Sequence, residues 1–131
     1  MSELRTNRIV PRDGLPSGSS GGIIQMKQTV KTDTFSKNSS SWADITGMSV
    51  SIAPTRADSK IFVMVDIKIG TDHGDSDFQI KLVRGSTDIC IATSAGSRTV
   101  STVAHQGSGG NIIDHTFPIF FLDSPSTTSA T

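Results

Sequence analysis

Apolar and polar residues alternate with a period of two along "KIFVMVDIKIG". Ile61, Val63, Val65, Ile67 and Ile69 fall on one side, and Phe62, Met64, Asp66 and Lys68 on the other. That period marks a strand with one face toward a core. The second side is itself half apolar, so Phe62 and Met64 are expected to be covered, with a sister subunit as the expected cover. The alternation returns in "FQIKLVRG" (Phe78, Ile80, Leu82) and in the second half of "WADITGMSVSI", where Met48, Val50 and Ile52 oppose Ser49 and Ser51. Weaker patterns in "IIQMKQTVK", "TDICIAT", "SRTVSTVAH" and "IIDHTFPIFFL" bring the expected total to about seven strands. Pro118 lacks an N–H and predicts an edge position or a bulge in the last of them.

Turn chemistry separates these stretches: "APTRADS", "TDHGDSD", Arg84-Gly85-Ser86 and "QGSGG". No window of about 11 to 18 residues carries the 3.6-residue period of a helix. The pattern predicts an all-β chain, an antiparallel β-sandwich or jelly roll over residues 23–131. Residues 1–22 read differently. "PRDGLPSGSSGG" is linker chemistry, in which proline removes donors and glycine raises chain entropy, so an extended N-terminal arm is expected there.

Composition agrees with the pattern. Of 131 residues, 20 are Ser and 15 Thr, and both side chains favour strands and turns over helix. The net charge is zero, so no global field draws the chain to nucleic acid or to an anionic membrane, and neither is expected as a partner. The arm is locally basic, with Arg5, Arg8 and Arg12 against Glu3. Cys90 is the only cysteine, which leaves no internal disulfide; between Ile89 and Ile91 it reads as a buried strand thiol. No stretch approaches the roughly 20 apolar residues of a membrane helix. "MSELRTNRIVPRDG" has no apolar signal core, so synthesis and assembly in the cytoplasm are expected.

Candidate chemistry is sparse. Asp72, His73, Asp75 and Asp77 crowd into "TDHGDSD", and carboxylates around a glycine can wrap Ca²⁺, but the late bidentate Glu of a calcium loop is missing. A solvated, outward-facing loop is the expected reading. His73, His105 and His115 lie far apart in sequence with no zinc spacing, and no nucleophile elbow or phosphate loop appears. Trp42 could stack on a sugar, although a lone Trp in a β chain is first a packing residue. Neither catalytic residues nor a metal or cofactor are predicted.

Three phrases then carry a resemblance: "IIQMKQTVKTDTFSKNSSSWADITGMSVSIAPTRADSKIFVMVDIKIG", "LVRGSTDICIATSAGSRT" and "FFLDSPSTTSAT". Together with the leader "SELRTNRIVPRDG", the chain resembles small virion proteins of tailed bacteriophages, of tail-fibre or structural type. The resemblance covers nearly the whole chain through β phrases rather than a catalytic motif. It implies a jelly-roll-like β-sandwich, a virion location, a homotrimer displayed on the particle, and docking to other virion proteins through an arm that includes Leu4, Arg5, Arg8, Ile9 and Val10. The loops at 71–77 and 105–111 would then face a host-surface glycan. A head fibre or capsid decoration protein is the alternative within this class. A soluble carbohydrate-binding module, centred on Trp42 or on a Ca²⁺-holding Asp72–Asp77 loop, is the alternative outside it. In the family, the phrase like "FLDSPSTTSAT" leads into further strand, so the polypeptide is expected to continue past Thr131.

Overall fold

The computed structural model describes residues 23–73, 76–107 and 114–131. The chain forms two compact units, Met1–Val50 and Ser51–Thr131. The expected arm, residues 1–22, lies outside the described residues. In the first unit, residues 23–50 contain neither strand nor helix. The strands expected from "IIQMKQTVK" and from the second half of "WADITGMSVSI" are not formed, since residues 48–52 carry no strand either. Ile23, Ile24, Met26, Val30 and Val50 are exposed, so this stretch has strand-like residues without a ladder to join. Its local order comes from short-range bonds: Met48 N–H donates to the Ile45 carbonyl (3.0 Å) around Gly47 at φ +84°, and Lys31 pairs with Asp33 at 2.8 Å.

The second unit is all-β and antiparallel. Six strands form among the described residues: β1 (Ile61–Gly70), β2 (Phe78–Ile80), β3 (Leu82–Arg84), β4 (Thr87–Ile89), β5 (Val103–His105) and β6 (Asp114–Asp123). They pair as three two-stranded ribbons, β1–β6, β2–β5 and β3–β4. The long ribbon runs in unbroken register from Ile61↔Asp123 to Gly70↔Asp114. Pro118 sits opposite Asp66 in a strand with a single neighbour, the edge position its missing N–H requires. No bulge interrupts the ladder.

The inward face of β1–β6 carries the core. Ile67 and Ile119 are buried, and Ile61, Val63, Val65, Ile69, Phe117 and Phe121 on the same face are half-buried. At one end the β2–β5 ribbon lies over this face: the Phe78 ring meets Phe117 edge-on (5.5 Å between centroids) and stacks on His105 at 5.2 Å. At the other end, Arg84 of β3 donates from Nη1 to both carboxylate oxygens of Asp123, at 2.6 and 2.5 Å. Asp123 is the one buried charged residue among those described, 6% exposed, and a charge so shielded is stable only when paired.

"FQIKLVRG" was expected as one strand and is found as two. Its alternation holds, with Phe78, Ile80 and Leu82 half-buried, but the chain changes partner at Lys81. Thr102 makes the change possible. Its N–H donates to the Ile80 carbonyl (2.8 Å) and its hydroxyl accepts from the Leu82 N–H (2.9 Å), replacing ladder bonds on both sides of the break. Beyond the break, β3 and β4 close through Gly85-Ser86, with Arg84↔Thr87 as the last pair and Gly85 at φ +59°. That is the tight turn the sequence predicts, and a positive φ at its first position suits the right-handed twist of a hairpin. Cys90 departs from expectation. Strand β4 ends at Ile89, and Cys90 is a half-buried bend residue at φ +55°, not a buried strand thiol.

Candidate functional site

The outward face of β1–β6 is the most distinctive surface of the second unit. Because side chains alternate along a strand, burying Ile61 to Ile69 and their partners turns Phe62, Met64, Asp66, Lys68 and Gly70 outward. Leu122, Phe120, Pro118, Thr116 and Asp114 stand directly opposite them. Phe62, Met64, Phe120 and Leu122 are each 58–65% exposed and form a two-by-two apolar array at one end. The two phenyl rings lie on one diagonal, nearly parallel (12°) with centroids 6.4 Å apart. The other end is polar, and Lys68 there pairs with Asp114 at 3.3 Å.

Phe62 and Met64 thus stand where the alternation put them, exposed on the second side. Phe120 and Leu122 complete the array and were not singled out. The signal was present, since in "FPIFFLD" the inward Phe117, Ile119 and Phe121 leave Phe120 and Leu122 on the other side.

The loop residues fall at the opposite end of the ribbon. Asp72 and His73 are exposed just after β1, and Asp75 lies outside the described residues. Asp77 is exposed and accepts a hydrogen bond from the Gly107 N–H at 2.9 Å. The two segments expected to face outward, 71–77 and 105–111, are therefore tied together where both are described. Beside them, the rings of His105 and His115 come within 4.9 Å, tilted by 47°. Their separation in sequence gave no hint of this approach, which brings a β5 residue against one of β6. His105 Nε2 and Thr71 Oγ1 are shielded and make no hydrogen bond among the described residues. The two histidines are packed with Phe78 and Phe117 into one aromatic cluster, which fits a packing role.

Among the described residues, no group of three or more His, Cys, Asp or Glu side chains could hold a metal ion. No helix among them is long and apolar enough to cross a membrane. Trp42 is 50% exposed and lies outside any strand, so it is not the core packing residue expected. The docking residues Leu4, Arg5, Arg8, Ile9 and Val10 lie outside the described residues. Compared with known proteins, the chain matches no family model, no curated protein and no solved structure.

Proposed function

We propose that this chain is a non-enzymatic structural protein of a tailed-bacteriophage particle, of fibre or spike type. Its arm, through Leu4, Arg5, Arg8, Ile9 and Val10, docks to other virion proteins, and its β domain is displayed as a jelly-roll-like sandwich for host attachment. Several copies assemble together, three by the family resemblance. The observation that supports this reading beyond the resemblance is the apolar array of Phe62, Met64, Phe120 and Leu122 on a regular ten-residue ribbon. Such a face gains by burial against other chains. The loop residues Asp72, His73 and Asp77 at the far end of that ribbon, of which Asp77 is tied to Gly107, are the contact points for a surface glycan.

The test is incorporation into particles. Full-length protein should join them and protein starting at residue 23 should not; equal incorporation of both would remove the docking role of the arm. Counting copies per particle separates the alternatives within the class, since capsid decoration requires many more chains than a tail fibre.

The half-exposed Trp42 favours a second reading, a soluble carbohydrate-binding module. Under it, glycan-array binding would persist without particles and vanish in Trp42→Ala.

A further inference from the structure

We propose that the outward face of β1–β6 is closed by the same face of a second copy. The two ribbons would be related by a twofold axis that runs between them along the strand direction. This deepens the subunit contact of the reading above and rests on its claim of self-assembly. It differs on one point, since the contact at this face joins chains in pairs. A homotrimer built through other surfaces would then associate as six copies.

The array is self-complementary under that operation. Rotation about an axis parallel to the strands exchanges the two strand columns and keeps the rows. Phe62 then lies over the partner's Leu122, and Met64 over the partner's Phe120. Each phenyl ring meets an aliphatic or thioether side chain and never a second ring, because the two rings occupy one diagonal of the array. Flexible Met is suited to fill the space beside an aromatic ring. Sheets packed face to face lie about 10 Å apart with interdigitating side chains, and large residues over smaller ones satisfy that spacing.

Charge and area point the same way. Along the polar end, Asp66 falls over the partner's Pro118, Lys68 over the partner's Thr116, and Gly70 over the partner's Asp114. No charge meets its like, and Lys68 lies one row from the partner's Asp114, the residue type it already pairs with in its own chain. The whole chain has no net charge, so two copies do not repel at long range. The four apolar side chains present roughly 450 Å², in the middle of the range for the largest patch on a monomer, a patch that is often functional. A standard interface needs about 800 Å² per partner. The polar end of the face supplies much of the remainder only when the axis runs along the strands. An axis across the strands would overlap the apolar ends alone and leave the polar ends without a partner.

The test uses native mass spectrometry and light scattering on the full chain. The expected native mass is two or six chains. Met64→Lys and Phe120→Glu should each halve that mass, because each places an unpaired charge against an apolar partner. Both positions point to solvent in the single chain and are about 60% exposed, so circular dichroism should match the parent, while melting should fall by what the contact contributed. Equal mixing of the two variants should restore the parent mass, since the introduced ammonium of one chain then lies over the introduced carboxylate of the other. A parent mass of three chains, or a mixture that stays at half mass, overturns the twofold contact and leaves the assembly reading standing. A parent mass of one chain overturns both.

Discussion

Residues 61–70 and residues 23–31 are both rich in Ile, Val and Met, yet one is a ten-residue strand and the other has no regular structure. The difference is a partner. β1 meets a strand of equal length whose inward residues match its own alternation row by row, from Ile61↔Asp123 to Gly70↔Asp114. In "IIQMKQTVK" the apolar residues begin as an adjacent pair, Ile23 and Ile24, and all four large ones stay exposed. Alternation tells which side chains would share a face. Whether a strand forms depends on a second segment that completes the ladder, because an isolated strand has no hydrogen bonds to gain.

That contrast can be broken most severely at Asp123. Removing one member of a buried ion pair leaves the other charge unpaired, so Asp123→Ala should cost about 3–5 kcal/mol, read from urea denaturation. Replacing both members, Arg84→Met with Asp123→Leu, should recover much of that loss. Next comes the core itself. Ile119→Ala should cost about 2–4 kcal/mol, while Met26→Ser in the unpaired stretch should change stability by under about 0.5 kcal/mol. Equal losses at the two positions would mean that residues 23–31 are packed in solution. At the partner switch, Thr102→Val removes the hydroxyl that satisfies the Leu82 N–H and should cost about 1–2 kcal/mol. Amide exchange at Leu82 should quicken first. Gly85→Val forces a branched side chain to positive φ and should cost about 1–2 kcal/mol through the β3–β4 turn.

The smallest effect is electrostatic. The Arg56 guanidinium, hydrogen-bonded to Asp58 at 2.9 Å, holds that carboxyl below its ordinary value, aided by the Arg56 charge. A lowered value means that the contribution is present above the ordinary carboxylate range and is lost as pH falls through the lowered one. Both side chains are well exposed, so the melting temperature should scarcely move. An NMR titration should nonetheless show Asp58 returning to the ordinary range in Arg56→Gln.

Much of the second unit was legible in the sequence because its signals are local. The two sides of β1, the edge role of Pro118 and the turn at Gly85 each follow from a few neighbouring residues. What escaped depends on distance along the chain. Nothing in "LVRG" or "FFLDS" announces that Arg84 and Asp123 will meet, and nothing near His105 announces His115. The break at Lys81 is invisible for the same reason: its cause, Thr102, comes 21 positions later. The candidate face was half legible, with Phe62 and Met64 read from β1 and Phe120 and Leu122 left unread in β6. Assembly of sheets into a sandwich and docking of the arm depend on surfaces far apart in the chain and have no local signature.

The order of the strands also governs how the chain can be made. β1 is complete at Gly70, but its partner begins only at Asp114. During synthesis at about 5–20 residues per second, β1 waits for seconds with both edges unpaired and Ile61 to Ile69 uncovered. The β3–β4 hairpin needs only Gly85 and Ser86 to close and can form in microseconds. The nascent chain therefore passes through a stage in which one of its short ribbons is finished and its most adhesive strand is not. A pause in translation between residues 70 and 123 would lengthen that stage and favour association of β1 strands from neighbouring ribosomes over the native ladder.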